Sequence, residues 1–165
     1  MMINKNRIYC GVDNGVTGSI GIIDNGDVSI FPIPVLSEQS YTKSKQLITR
    51  VDSPALWRIL REYENQSVLA IIERPMVNPG RFKATMSALR CLEAVLICIE
   101  ELNFARMYCD SKEWQRELLP KNLEKNELKK ASLDIAQRLF PTVEFKKIKD
   151  GDSLLIAEWA RRHNL

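Results

Sequence analysis

Three short apolar runs open the chain, each bounded by polar or turn-forming residues. Ile8 to Val12 ends on a carboxylate, Asp13; Ser19 to Ile23 follows, then Val28 to Ile33. Runs of this length, rich in β-branched residues, predict strands. Asn25-Gly26, set between Asp24 and Asp27, is a two-residue hairpin signal, so the three strands are expected to meander antiparallel. Pro32 and Pro34 end the third. Residues 35–52 are polar, with Ser, Thr, Gln and Lys, and are expected to form a loop or a mobile arm.

Helical periodicity then takes over. Ser53-Pro54 predicts a helix start, with Ser as N-cap and Pro at the first helical position. Leu56, Ile59, Leu60 and Tyr63 share one face of that helix. Val68 to Glu73 is wholly apolar up to its final acid and reads as a strand buried on both faces, broken at once by Arg74-Pro75. A loop over 76–82 precedes a helix from Lys83 to Leu102. Its apolar positions Ala88, Leu89, Leu92, Val95, Leu96, Ile99 and Leu102 keep the helical period. Ala105 to Cys109 is a further strand, and Asp110 or Ser111 caps a short helix carrying Lys112 and Trp114. Asn126 to Phe140 is amphipathic, with Leu128, Leu133, Ile135, Ala136 and Leu139 facing inward. Asp150-Gly151-Asp152 opens the last helix. Three meandering strands followed by strands joined through helices define an α/β domain, a mixed sheet flanked by helices.

Composition narrows the chemistry. At 165 residues the chain is expected to be one domain, 1–165, with a sizeable core. No apolar run approaches a membrane span. The polar start M-M-I-N-K-N-R lacks the apolar centre of a signal peptide, so a cytoplasmic location is expected. Cys91 and Cys98 lie seven apart in a predicted helix, about 10 Å, too far for a disulfide. Cys10 and Cys109 fall in predicted strands as small core residues. No C-x-x-C spacing is present, which argues against structural zinc. The one histidine, His163, sits near the C-terminus. Histidine-based acid–base or nucleophilic catalysis is therefore poorly provided for.

Net charge is only +3, but the bases are unevenly placed. Residues 74–92 hold Arg74, Arg81, Lys83 and Arg90 and no acid. Between 112 and 149, Lys112, Arg116, Lys121, Lys125, Lys129, Lys130, Arg138, Lys146, Lys147 and Lys149 outnumber the acids. Basic stretches beside an acidic site point to a polyanion partner.

Acids end three separate elements. Asp13 closes the first strand, Glu73 closes the Val68–Glu73 strand, and Asp150 and Asp152 stand where the last helix begins. If the two strands are parallel neighbours, both side chains emerge at the carboxyl-end rim, where ligands bind in open α/β sheets. Carboxylates gathered without bases repel one another and call for a hard cation, Mg²⁺ or Mn²⁺. Two ions per site would clamp the attacking and leaving oxygens of a phosphodiester. Gly15 and Gly18, after Asp13, would let the backbone approach a metal or phosphate closely.

On these residues the chain resembles a RuvC-like Holliday junction resolvase of the bacteriophage type, within the ribonuclease H-like superfamily. The stretches that carry the resemblance are G-V-D-N-G-V-T-G-S-I-G, A-I-I-E-R-P-M, C-D-S-K-E-W, K-N-E-L-K-K-A-S-L-D-I-A-Q-R-L-F-P and D-G-D-S-L-L-I-A-E-W-A-R-R. They fall in family order over nearly the whole chain. The resemblance implies a ribonuclease H-like fold: a five-stranded mixed sheet, three strands antiparallel and two parallel, flanked by helices. It also implies a Mg²⁺-dependent endonuclease, usually a homodimer, that nicks opposed strands of a four-way DNA junction in a bacterial cytoplasm. Asp13, Glu73, Asp150 and Asp152 take the family's metal-ligand roles. Lys112 matches its basic residue near the DNA backbone, and Lys125 and Lys129 match a DNA-facing helix start. Arg74, Arg81 and Lys83 complete the expected nucleic-acid contacts, and Met76 and Phe82 either are wedges between base steps or pack against the sheet or a dimer partner.

The last acids depart from the family spacing. Asp150 and Asp152 are two apart and would not face together within a helix, so Gly151 is expected to bend the chain before the helix starts. Asp152 is expected to be the principal ligand, with Asp150 less constrained. Three rival readings stay open. An actin- or sugar-kinase-type phosphoryl transferase shares D-x-G-x-T with Asp13 to Thr17 but needs a second domain. A non-catalytic binding module would not need all the acids. A nuclease of the same fold acting on forks, flaps or hybrids is harder to separate.

Overall fold

The computed structural model describes residues 7–165; the polar stretch 1–6, on which the reading of the N-terminus rests, lies outside them. Seven strands and five α-helices follow one another along the described residues: β1 (Ile8–Asp13), β2 (Ser19–Asp24), β3 (Asp27–Pro32), β4 (Val35–Gln39), β5 (Leu47–Val51), α1 (Ser53–Leu60), β6 (Val68–Glu73), α2 (Phe82–Glu101), β7 (Ala105–Cys109), α3 (Ser111–Leu118), α4 (Leu128–Leu139) and α5 (Asp152–Arg162). The main sheet has the order β3-β2-β1-β6-β7. Its first three strands are antiparallel, while β1–β6 and β6–β7 are parallel. β1 is therefore central, and Val12 pairs with Ile72 one residue before the two strand-end acids.

Strand alternation divides the core between the two faces of this sheet. Ile8, Cys10 and Val12 of β1 join Ala70 and Ile72 of β6 under α1 and α2, against Leu56, Val95 and Ile99. Tyr9 and Ile71 point the other way, toward Trp114, Leu155 and Ile156 of α3 and α5. All four cysteines are buried and unpaired, as their spacing predicts.

α5 lies unusually close to the sheet. Gly11 and Gly21 face each other across β1 and β2. A Cβ on Gly11 would sit 2.0 Å from the Ser153 carbonyl oxygen, and one on Gly21 would sit 2.6 Å from the Leu154 nitrogen. The bare pair lets the start of α5 rest on the backbone, and a buried 2.7 Å hydrogen bond between the Ser19 and Ser153 hydroxyls pins it there. The helix N-terminus is thereby set beside the end of β1.

Several expectations give way. Residues 35–52 are not a loop: β4 and β5 form a separate two-stranded ribbon. Its side chains stay largely exposed, with Arg50 paired to Glu38 at 2.8 Å, so polarity hid an alternation that backbone pairing satisfies. The N-cap of α1 is Asp52 rather than Ser53; its carboxylate accepts from the Ala55 N–H at 3.1 Å. In α2 the fully buried positions include Cys91 and Cys98, whereas Leu89 is exposed. Leu139 of α4 likewise faces solvent, and Ser132 and Ala136 carry that helix's contact with α5. Of the two candidate caps of α3, Asp110 and Ser111, it is Asp110 that takes the position, with Glu113 closing a capping box.

Candidate active site

The acids meet at the rim of the central strands. Single oxygens of Asp13, Asp150 and Asp152 all lie within 4.8 Å of one another. Asp13 is delivered by β1, and the other two by the turn into α5. Two apart, Asp150 and Asp152 face together because the chain has not yet become helical: Gly151 is the residue before the first turn. Gly151 is packed so tightly that a Cβ would meet the Ala136 side chain at 2.4 Å and the Ser132 carbonyl oxygen at 2.5 Å.

Asp150 proves to be the more constrained of the pair, contrary to expectation. It is only 3% exposed. Its Oδ2 accepts from Lys129 Nζ at 3.0 Å, and its Oδ1 accepts from the Asp152 N–H at 3.3 Å. The Gly151 N–H donates to Ser132 Oγ at 3.1 Å, and that hydroxyl donates to the Lys129 carbonyl at 3.1 Å. The turn is thus bound to α4 at Asp150 and at Gly151.

Glu73 stands apart from the three-acid group but within its field. Burial, then Asp152, raise its carboxyl to about 7, with Asp150 and Asp110 adding to the rise. The indole N–H of Trp114 faces this carboxylate and holds the rise back in part, although it makes no hydrogen bond of normal geometry. Burial, then Asp150, push Asp152 up to about 6. Asp13 is raised well above its ordinary value by burial and by Asp152, Asp150 and Glu73 in turn. Lys129 is the cation that relieves both aspartates. Burial alone would lower its own pKa, but the Asp150 hydrogen bond and the surrounding acids outweigh that and hold it above the ordinary value. A half-buried, all-oxygen cluster that resists full ionisation fits a hard divalent cation.

A cleft of about 580 Å³ runs from Asp13 and Glu73 past Arg74, Met76 and Arg81. Arg74 spans this edge, its guanidinium 3.0 Å from Asp110 and over the Tyr108 ring. Met76 and Phe82 project into solvent at 74% and 67% exposure, so neither packs against the sheet. Phe82 and Lys83 border Arg81 at the far end. Lys112 is exposed in the first turn of α3, beside Arg116, and Lys125 is exposed in the turn before α4. Lys129, expected at the DNA surface, is exposed at the start of α4, and its ammonium also pairs with Asp150. Gly18 serves its own turn: a Cβ there would strike the Asp13 carbonyl oxygen at 2.0 Å.

One cleft residue escaped sequence reading. Asn14 donates to the Ala88 carbonyl at 3.1 Å, while its Oδ1 is buried without a partner. Its position directly after Asp13 was the only signal available.

This sheet order, with acids at the C-terminal rim of β1 and β6, defines a ribonuclease H-like fold of the RuvC type. Among solved structures, the chain is similar to Thermus thermophilus RuvC in complex with a Holliday junction substrate, with a TM-score of 0.61 and 12% identity over 95% of this chain and 96% of that one. It is also similar to a second structure of T. thermophilus RuvC, at TM-score 0.58 and 12% identity, covering 94% of this chain and 96% of that one. The yeast mitochondrial Holliday junction resolvase Ydc2 aligns at TM-score 0.50 and 18% identity, over 94% of this chain and 78% of that one. No family model matches the sequence, and no curated protein matches it.

Proposed function

We propose that residues 1–165 form a single nuclease domain that resolves four-way DNA junctions by paired nicks. The observation that carries this reading is the convergence of Asp13, Asp150 and Asp152, with Glu73 beside them, at the rim of a RuvC-type sheet. Asp13, Glu73, Asp150 and Asp152 would hold two Mg²⁺ or Mn²⁺ ions. Bound there, the ions would supply an activated water and neutralise charge on the attacking and leaving oxygens of the phosphodiester.

The remaining work falls to the chain's own residues. Lys129 holds the Asp150 carboxylate in one orientation. Ser132 and Gly151 fix the turn that carries both C-terminal acids. Arg74 and Arg81 offer cations along the cleft leading away from Asp13. Met76 and Phe82, exposed at its mouth, suit insertion between unstacked base steps. Nicks on opposed strands need two sites, hence a second copy of the chain. Met86, Leu89 and Ile97 lie exposed on one face of α2, interrupted by the exposed Glu93, and that copy can pack there.

Cleavage of labelled junction, fork, flap and RNA–DNA hybrid substrates with Mg²⁺ tests the reading. Junctions should be cut in preference to the rest, at paired positions. Preference for another substrate would keep the nuclease and reject the resolvase. No cleavage of any substrate would reject both.

A further inference from the structure

A second groove opens on the other side of the acids. The cleft described above lies over β6 and β7. This groove lies over β2 and β3, and Asp150 forms part of its wall. Its volume, about 340 Å³, is that of a small-ligand site. Pro32, Pro34 and Val35 give it an apolar side, Thr17 contributes a hydroxyl, and Lys147 and Lys149 stand on the opposite lip. Both lysines are exposed, and neither makes an ion pair or side-chain hydrogen bond among the described residues, whereas the neighbouring Lys146 is paired to Glu144 at 2.6 Å. Two exposed lysines without ion-pair partners among the described residues, lining an apolar slot, match one nucleotide: a base against the prolines and valine, a phosphate against the lysines.

We propose that this groove is a subsite for a nucleotide flanking the scissile phosphate. The strand to be cut then runs from Arg81, across the acids, to Lys147 and Lys149. The proposal rests on the nuclease reading, and it adds a contact on the side of the site opposite Glu73.

The test uses a synthetic four-way junction with one neutral methylphosphonate at a time around the mapped cut. Binding is measured in the Asp13→Asn protein, with and without Lys147→Ala and Lys149→Ala. One position within a nucleotide or two of the cut should weaken binding by the Asp13→Asn protein and cease to matter once the lysines are gone. The log–log salt slope should also fall by about 0.7 per lysine, the single-strand value. Lys147→Arg with Lys149→Arg should restore the interference, and Arg58→Ala, a charge lost from α1, should change nothing. An identical interference map and slope with and without the lysines overturns the subsite. If the wild type meanwhile cuts the junction, the subsite alone has failed. A wild type that cuts no DNA overturns the nuclease reading and the subsite with it.

Discussion

Without metal, the protein should lose stability as pH rises through the range in which its site becomes ready to bind one. Glu73 is raised to about 7 from 4.5, and Asp152 to about 6 from 3.8, with burial the larger cause for each and Asp152 and Asp150 the respective next ones. A carboxyl raised in the folded state holds its proton more tightly there than in the unfolded chain. Its contribution is complete below the unfolded value and is lost as pH climbs through the folded one, here from about pH 4 to about pH 7. At roughly 1.4 kcal/mol per pKa unit, each of the two groups accounts for about 3 kcal/mol. For a chain of this size that corresponds to very roughly 6–12 °C in Tm per group. Asp13 acts in the same direction. Glu158 acts in the other: burial would raise it, but hydrogen bonds from Arg161 and Arg162 win and hold it below its ordinary value, so its contribution is lost as pH falls. The decisive readout is therefore a difference. Thermal unfolding with EDTA is compared for wild type, Glu73→Gln and Asp152→Asn across pH. Near pH 7.5 both variants should melt above the wild type, and the gap should close toward pH 4.5, about where the wild-type groups are protonated. Added Mg²⁺ should raise the wild-type Tm and do much less for Asp152→Asn, because a ligand stabilises only as far as the folded state binds it. Variants less stable than wild type at every pH, by a constant margin, would refute the electrostatic reasoning.

Four further outcomes follow from the same geometry. Asp13→Asn should abolish cleavage in gel assays yet keep junction binding, because phosphate contacts come from Lys and Arg; near wild-type cutting would remove Asp13 from the site. Gly21→Ala, whose Cβ would sit 2.6 Å from the Leu154 nitrogen, should force α5 off the sheet and cost about 1–3 kcal/mol or more by chemical denaturation; a neutral substitution would show that α5 yields freely. Lys125→Ala should lower the log–log salt slope of junction binding by about 0.9, whereas adding Lys129→Ala should lower it little further, since that ammonium is held by Asp150; a second equal drop would return Lys129 to the DNA footprint. Leu89→Asp with Ile97→Asp should convert a dimer to monomer in sedimentation, and an unchanged sedimentation coefficient would move the interface off α2.

The acids themselves were legible from the chain alone, because each ends an element whose type is set by local pattern. The apolar run of β1 stops at Asp13, the doubly buried run of β6 stops at Glu73, and a pair of aspartates separated by one glycine stands at the start of an apolar helix. Strand periodicity and turn chemistry act over a few residues, so they can be read without knowing what lies across the fold. The α2 core face was read only in part, since Cys91 and Cys98 carry it while Leu89 looks outward. The β4–β5 ribbon was not readable: its strands are mutual partners with little buried area, and pairing between two polar segments leaves almost no hydrophobic signature. Other features depended wholly on tertiary structure. The approach of α5 required Gly11 and Gly21 to fall opposite each other, which is a matter of register. The turn of Lys129 toward Asp150, the confinement of Asp150 and the raised carboxyls of Asp13 and Glu73 each need groups distant in sequence to be gathered at one rim, with the acids partly withdrawn from water. Charge and burial add up in space, and only the folded chain fixes which charges are neighbours.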